Sequence, residues 1–211
     1  MNTPIVDIHT HRLDATAALI AVDPRQFEPQ PGRYYSVGFH PWLELDSLTE
    51  DDFSLLEQCA SHPQVLAIGE TGMDRLRGAA LDVQASVFAR HLQLAHDVGM
   101  PVVAHCVRAS QDILDVLRSM GLTNVPVIIH GMRSNQHVAR ALLEAGCHLS
   151  YGARFNAEAL MSTPLERLLI ETDDASTTID DVAGHVAQVT GTTAEHIKEI
   201  AAGNAQRLLT K

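Results

Sequence analysis

The sequence has few cysteines and no pairing pattern among them. Cys59, Cys106 and Cys147 are odd in number and form no C-x-x-C motif, which argues against both a disulfide framework and a zinc ribbon. The first residues also lack the basic region, apolar region and small-residue cleavage site of a secretion signal. These absences together predict a cytoplasmic protein in a reducing compartment.

Long apolar runs and an excess of positive charge are absent as well. The apolar runs are far shorter than the ~18–20 residues that a membrane-spanning helix requires, so no membrane association is expected. The net charge of −11 argues against tight binding of duplex nucleic acid, because that affinity depends on clustered Lys and Arg. An acidic chain can still bind a small-molecule phosphate ester or the end of a single DNA strand where metal ions supply positive charge.

The chain instead alternates short β-rich apolar runs with stretches of helical spacing, which is typical of parallel βα units. An apolar stripe at helical spacing covers residues 83–98, and a strand is predicted over 101–105. The pattern repeats with a helix that ends at Gly121 and a strand over 126–130, and once more with a helix that ends at Gly146. The length and the 45% hydrophobic content predict one domain over residues 1–211.

The whole pattern predicts an α/β fold, a reduced TIM-like (β/α) barrel. Predicted strands cover residues 5–9, 17–22, 34–39, 65–70, 101–105, 126–130, 147–151 and 168–172, and two helices over roughly 178–190 and 193–209 end the chain. The length lies near the bottom of the ~200 to 400 residues usual for this fold. Between His11 and His40 there is no amphipathic stretch long enough for a helix, and Pro24, Pro29 and Pro31 interrupt the segment. The first two outer helices are therefore expected to be missing.

Missing helices would have a consequence for assembly. Apolar strand faces near residues 17–37 would be exposed, and burial against a second subunit would cover them. The sequence therefore predicts a homodimer.

Side chains that commonly bind metals stand where the predicted strands end. In a parallel barrel these ends form the active site. His9 and His11 end the first strand, and their i, i+2 spacing places them on the same side. Glu70, His105, His130 and Asp173 occupy the ends of the fourth, fifth, sixth and eighth strands.

Four imidazoles and two carboxylates exceed what one tetrahedral ion needs. They predict two divalent ions ~3.5–4 Å apart, with Glu70 as the bridging carboxylate. The donor set suits zinc, manganese or iron, and magnesium is a further candidate. Each residue alone also has a structural interpretation, because His105 or His130 could be a buried hydrogen-bonded residue and Asp173 a helix N-cap.

His40 follows the third strand and precedes Pro41, which favours either a substrate contact or a turn role. The remaining histidines lack a matching partner and are interpreted as surface or packing residues: His62, His91, His96, His137, His148, His185 and His196. Cys106 is interpreted as a small buried residue and not as a nucleophile.

In their order, these residues resemble the motifs of the TatD-like metal-dependent hydrolases, within the amidohydrolase-like barrel group. Residues 7–11 (DIHTH) resemble the family's D-x-H-x-H, residues 38–41 (GFHP) its G-x-H-P, and residues 67–74 (AIGETGMD) its A-I-G-E-x-G-L-D. His105, His130, the Glu171-Thr172-Asp173 segment and Asn204-Ala205 continue the series in register. The resemblance covers nearly the whole chain.

The resemblance implies a barrel with a two-metal site. Residues similar to His9, His11, Glu70 and Asp173 hold one ion, and those similar to Glu70, His105 and His130 hold the other. It also implies that Asp173 orients or deprotonates the attacking water and that His40 contacts phosphate. Members act as deoxyribonucleases, often 3′–5′ exonucleases, and some relatives cleave other esters or amides.

Two local departures concern the substrate. Val107 stands where the family has arginine after the fifth strand, which leaves neighbouring Arg108 as the candidate substrate contact. The loop after Asp173 reads Asp-Ala-Ser-Thr-Thr in place of the family's loop with proline and arginine. The leading hypothesis is a phosphodiesterase or deoxyribonuclease acting on DNA ends or small nucleotides. The alternatives are a hydrolase of carboxylic esters or amides and a metal-binding protein without activity.

Overall fold

Eight parallel strands form a closed barrel within residues 4–210, the part of the chain that the computed structural model describes. The strands follow one another around the barrel in chain order, and the first closes against the eighth through Asp7 and Ile170. They are β1 Asp7–Thr10, β2 Ala18–Val22, β3 Tyr34–Val37, β4 Val65–Asp74, β5 Val102–Val107, β6 Val127–Ile129, β7 His148–Tyr151 and β8 Leu168–Ile170. The predicted TIM-like barrel is confirmed.

The helices lie between the later strands and after the last one. They are α1 Glu50–Ala60, α2 Leu81–Val98, α3 Ser110–Met120, α4 Gln136–Glu144, α5 Ala157–Met161, α6 Ile179–Thr190 and α7 Ala194–Leu209. Over the described residues, no α-helix follows β1 or β2, and only a 3-10 turn at Pro24–Gln26 precedes β3. The predicted loss of the first two outer helices is therefore confirmed.

The prediction that apolar strand faces would be exposed near residues 17–37 is wrong. Every residue of β2 and β3 is buried or partly buried. The ring of Phe27 packs edge-on against that of Tyr35 at 5.3 Å, and the Pro24–Gln26 turn contacts α1. A short loop and α1 thus cover the barrel wall where helices are missing. The homodimer remains a prediction, but it can no longer be argued from exposed apolar faces, because β2 and β3 are covered within one chain.

Apolar side chains fill the barrel beneath its mouth. One buried cluster includes a side chain from each of six different strands, so these side chains lie inside the barrel. They are Ile8, Leu19, Ala67, Val103, Ile128 and Leu169. Val103 and Ile128 precede His105 and His130 by two positions, and strand alternation therefore turns those imidazoles inward as well. The buried apolar layer supports the polar residues above it.

Among the described residues, no helix has the length and apolarity needed to cross a membrane. The predicted domain of residues 1–211 includes residues 1–3 and 211, which lie outside the described range. The N-terminal segment from which no secretion signal was predicted also includes Met1, Asn2 and Thr3, which lie outside the described residues.

Candidate metal centre

The Glu70 carboxylate lies between two pairs of imidazoles at the carboxyl ends of the strands. Its Oε2 atom is 3.2 Å from His9 Nε2 and 3.1 Å from His11 Nε2. Its Oε1 atom is 2.9 Å from His105 Nδ1 and 2.8 Å from His130 Nε2. Each oxygen of one carboxylate therefore faces a different pair of ring nitrogens.

Asp173 joins the pair formed by His9 and His11. Its Oδ1 atom lies 3.7 Å from the Nε2 atom of each ring. Asp173 has a left-handed backbone with φ 54, which aspartate tolerates better than most residues. Its N–H donates to the carbonyl of His9 at 2.9 Å, so the segment after β8 is tied to the end of β1. All six predicted ligands are thus brought together.

Several buried polar atoms of this cluster have no hydrogen-bond partner among residues 4–210. They are His9 Nδ1 and Nε2, Glu70 Oε2 and His130 Nδ1. Buried nitrogen and oxygen atoms are normally hydrogen-bonded, so unpartnered atoms that face one another are what a ligand set for a cation presents. The ligand atoms of His9, His11 and Asp173 lie close enough together to bind one ion, and so do those of His9, Glu70 and His130. The residues fit divalent ions.

Two further carboxylates contact the imidazoles from behind. Asp74 Oδ2 lies 3.2 Å from His105 Nε2, and Glu171 Oε1 lies 3.4 Å from His130 Nδ1. A carboxylate on the far nitrogen fixes the orientation of a ligating imidazole. Asp74 and Glu171 stand within the sequence motifs, but no role was predicted for either residue. Their positions could have indicated a role at the barrel mouth, since Asp74 ends β4 and Glu171 directly follows β8.

The contacts around Glu70 keep it ionised. Burial alone would raise its pKa, but the charges of His130 and His9, a hydrogen bond with His105 and the close approach of His11 hold the pKa well below its ordinary value. For His130, burial acts to lower the pKa, but the charge of Glu70 and contacts with Glu171 raise it well above the usual value. The centre therefore offers Glu70 as an anion, the form that binds a cation.

His40 approaches the same carboxylate because the end of β3 comes very close to β4. A Cβ atom at Gly38 would lie 2.7 Å from Gly69 Cα, so a glycine is needed there. His40 Nε2 lies 3.0 Å from Glu70 Oε1, while its Nδ1 accepts the backbone N–H of Trp42 at 3.1 Å. A neutral ring that accepts at Nδ1 carries its proton at Nε2. His40 thus presents a donor at the barrel mouth and also supports a turn.

A buried histidine of α2 holds the strand end that carries His40. His91 Nδ1 donates to the carbonyl of Val87 at 2.8 Å, and its Nε2 accepts the N–H of Phe39 at 3.0 Å. Burial lowers the pKa of His91 to about 4, so the ring is neutral near pH 7. This agrees with its interpretation as a packing residue. Burial likewise raises the pKa of the Cys106 thiol to about 12, which fits a structural cysteine.

Two clefts flank the metal centre. One of about 310 Å³ is lined by His11 and His40, and the other, of about 440 Å³, by His105, His130 and Asp173. The larger cleft also contains two exposed arginines, Arg108 and Arg133, together with Val107. The structure thus places Arg108 beside the predicted ligands. Sequence reasoning missed Arg133, which lies in a loop without a recognisable pattern.

Comparison with known proteins agrees with this geometry. The family model described as TatD related DNase matches residues 25–210. The Bacillus subtilis protein YabD, named an uncharacterized metal-dependent hydrolase, is 31% identical over 196 residues, which cover 83% of this chain and 76% of YabD. The TatD protein of Mycobacterium tuberculosis, named in the same way, is 40% identical over 153 residues, covering 66% of this chain and 57% of that protein.

One relative carries a more specific name. The Musicola paradisiaca protein named 3′-5′ ssDNA/RNA exonuclease TatD is 34% identical over 161 residues, covering 71% of this chain and 60% of the relative. Among solved structures, the Escherichia coli TatD homolog YjjV has a TM-score of 0.78 at 19% identity, over 91% of this chain and 85% of its own. A TatD family hydrolase from Entamoeba histolytica has a TM-score of 0.77 at 15% identity, over 98% of each chain.

At these identities the solved structures show the fold alone. The family match over residues 25–210 and the identity with YabD establish the relationship that the motifs predicted. The predicted enzyme class, a metal-dependent hydrolase, is confirmed with it. This chain belongs to the TatD family of metal-dependent hydrolases.

Proposed function

We propose that this protein is a two-metal phosphodiesterase that hydrolyses the ends of single-stranded DNA or small nucleotides. The observation that carries the proposal is the Glu70 carboxylate, whose two oxygens face separate pairs of imidazoles beside a cleft with exposed arginines. The name of the Musicola paradisiaca relative, a 3′-5′ ssDNA/RNA exonuclease, supports the same substrate class.

The donor set divides naturally between two ions. His9, His11, Glu70 and Asp173 would hold one ion, and Glu70, His105 and His130 would hold the other. Zinc, manganese, magnesium or iron would suit these imidazoles and carboxylates. Divalent ions at such a centre supply Lewis acidity toward a phosphoryl oxygen and lower the pKa of water.

The protein's own groups orient the substrate and move the proton. Asp173, partly exposed at the cleft, accepts the proton of the attacking water as general base. His40 donates its Nε2–H to a phosphoryl oxygen, and Arg108 and Arg133 balance the charge of the phosphates.

Phosphate is favoured over carboxylic esters and amides by the charges in the larger cleft. The chain carries a net charge of −11, yet two exposed arginines line this cleft next to Asp173. A neutral acyl substrate offers no negative charge for these arginines to bind, whereas a phosphodiester does. Val107 lines the same cleft, and the motif that the chain resembles has arginine at that position. Its apolar side chain keeps ester or amide hydrolysis as the second candidate.

The deciding experiment compares substrates on one metal-loaded preparation. Fluorescent single-stranded DNA, p-nitrophenyl acetate and an amide panel are assayed with the parent and with Asp173→Asn. Asp51→Asn, at an exposed position of α1 that lines neither cleft, supplies the control. We expect DNA cleavage that is lost in the Asp173 variant and kept in the control.

Each alternative gives a different result in that experiment. Cleavage of the ester or amide with intact DNA would favour the second candidate. Bound metal with no turnover on any substrate, and no difference between Asp173→Asn and the parent, would indicate a metal-binding protein without activity.

Two further parts of the proposal concern the cell and the assembly. The free thiols of Cys59 and Cys147 are buried and suit a reducing, cytoplasmic environment. The homodimer is tested by light scattering, where a mass of one chain would remove it.

A further inference from the structure

Trp42, the single tryptophan of the chain, lies in the larger cleft beside the metal centre. It keeps 48% of its surface exposed, which is unusual for the largest apolar side chain. Its ring centroid is 5.6 Å from that of His105 and 4.8 Å from that of His40. An open aromatic surface therefore borders the place where the phosphate is expected.

The indole is held in place before any ligand arrives. Its Nε1–H donates to Asp74 Oδ2 at 2.6 Å. The guanidinium of Arg77 lies over the ring at 4.6 Å from the centroid, as in a cation–π contact. A ring fixed at two points loses little conformational entropy when a ligand packs against it, so its contact contributes more to affinity.

The groups around Trp42 define the chemistry of that ligand. Arg108 and Arg133 share the cleft and favour phosphate, while the exposed indole favours a flat, conjugated group. A planar ring joined through a sugar to a phosphodiester is a nucleobase. We propose that Trp42 stacks against the nucleobase of a nucleotide next to the scissile phosphate, which makes it a specificity-determining residue. The proposal rests on the proposed phosphodiesterase function.

A competing role for Trp42 follows from the same contacts. Asp74 accepts the indole N–H and also contacts His105, so Trp42 could act only by positioning that imidazole. The two roles predict different substrate dependence. Stacking requires a base, whereas positioning of His105 would affect all phosphodiesters equally.

The kinetic test uses an oligonucleotide of deoxyadenosine and an abasic oligomer of the same length and charge. For Trp42→Ala, we expect KM for the adenine-bearing strand to rise roughly tenfold or more, with little change for the abasic strand. Trp42→Phe keeps an aromatic ring and should retain most of the affinity. Leu76→Ala, which removes another exposed apolar side chain of the loop after β4, should leave both substrates unchanged.

Equal losses on the two strands, or no loss on either, would overturn the proposal. Circular dichroism and metal content of each variant separate a binding effect from misfolding. If the parent cleaves DNA but shows no base dependence, the stacking proposal fails and the phosphodiesterase function survives.

A second measurement does not depend on hydrolysis. Because Trp42 is the single tryptophan, its fluorescence reports directly on any ring that packs against it. Deoxyadenosine 5′-monophosphate should quench this emission saturably in the metal-loaded protein, and 2-deoxyribose 5-phosphate should not. Identical responses to both compounds would contradict stacking. If no oligonucleotide is cleaved and quenching is still base-dependent, the proposed hydrolysis fails while the stacking site stands.

Discussion

His9 Nε2 and Glu70 Oε2 lie 3.2 Å apart in the barrel interior, and neither atom has a hydrogen-bond partner within residues 4–210. Two buried polar atoms in this relationship are stabilised when a cation binds between them and their neighbours. Binding to the folded state alone contributes about 2.7 kcal/mol at a ligand concentration of 100 Kd.

Metal should therefore raise the thermal stability of the metal-free protein. For a chain of this size we expect Tm to rise by about 5–10 °C on addition of zinc or manganese, measured by differential scanning fluorimetry. Glu70→Gln should lose most of this shift, while Glu144→Gln, at an exposed position at the end of α4, should retain it. An equal shift in all three proteins would show that the ions bind elsewhere.

Asp173→Asn should remove the general base with little change in backbone structure. Asparagine accepts the left-handed conformation of this position, φ 54, about as readily as aspartate. We expect kcat on single-stranded DNA to fall roughly 10²- to 10⁴-fold. The metal content, measured in parallel by mass spectrometry, separates loss of the base from loss of an ion. A variant with full metal and unchanged kcat would assign the proton transfer to another group.

Arg108→Ala should weaken DNA binding in a salt-dependent way. Removing one phosphate contact reduces the slope of log K against log salt concentration by about 0.7 for a single strand. Affinities measured by anisotropy at several salt concentrations give this slope. Arg140→Ala, on the exposed surface of α4, should leave it unchanged. Parallel lines for the parent and Arg108→Ala would exclude a phosphate contact at this residue.

His91 should make the stability of the fold depend on pH. Burial lowers its pKa from 6.5 to about 4, so the unfolded chain binds more protons than the folded one between these values. The contribution of His91 to the free energy of unfolding is therefore fully present above pH 6.5. It falls by about 3 kcal/mol as the pH drops toward 4.

The variant His91→Gln tests this contribution. Glutamine can both accept from Phe39 and donate to Val87 but does not titrate. Urea unfolding at several pH values should show a smaller acid loss than in the parent. Part of the loss will remain, because burial lowers the pKa of His148 to about 4 as well. A pH dependence identical to that of the parent would contradict the assignment.

The barrel could be predicted from the sequence because its strands are short, buried apolar runs followed by polar residues. Two helices were not predicted, α1 and α5. The first had a recognisable signal, since Thr49 and Asp52 form a capping box ahead of apolar residues at helical spacing. The second spans only Ala157–Met161, too short for a periodic pattern to emerge.

The exposure of β2 and β3 was predicted wrongly for a physical reason. The absence of two helices was expected to leave the outer faces of β2 and β3 exposed. The ring of Phe27 and the Pro24–Gln26 turn cover this part of the barrel instead. Such irregular segments leave no periodic pattern in the sequence, so their packing cannot be inferred from it.

The six candidate ligands could be found because each stands within four residues of the carboxyl end of a strand, where topology alone brings residues together. The contact of Asp74 with His105 was missed because β4 continues to Asp74, four residues past its predicted end at residue 70. The contact of Trp42 with Asp74 could not be predicted, because it depends on the path of the loop after β3. The same holds for Arg133, which enters the cleft from the loop after β6.

The bridging role of Glu70 is tested most directly by a crystal structure of the metal-loaded protein with anomalous scattering recorded at the metal edge. The arrangement of its oxygens predicts two ions about 3.5–4 Å apart, one near each carboxylate oxygen. Ions bound away from Glu70, or one that engages only His9 and His11, would contradict it.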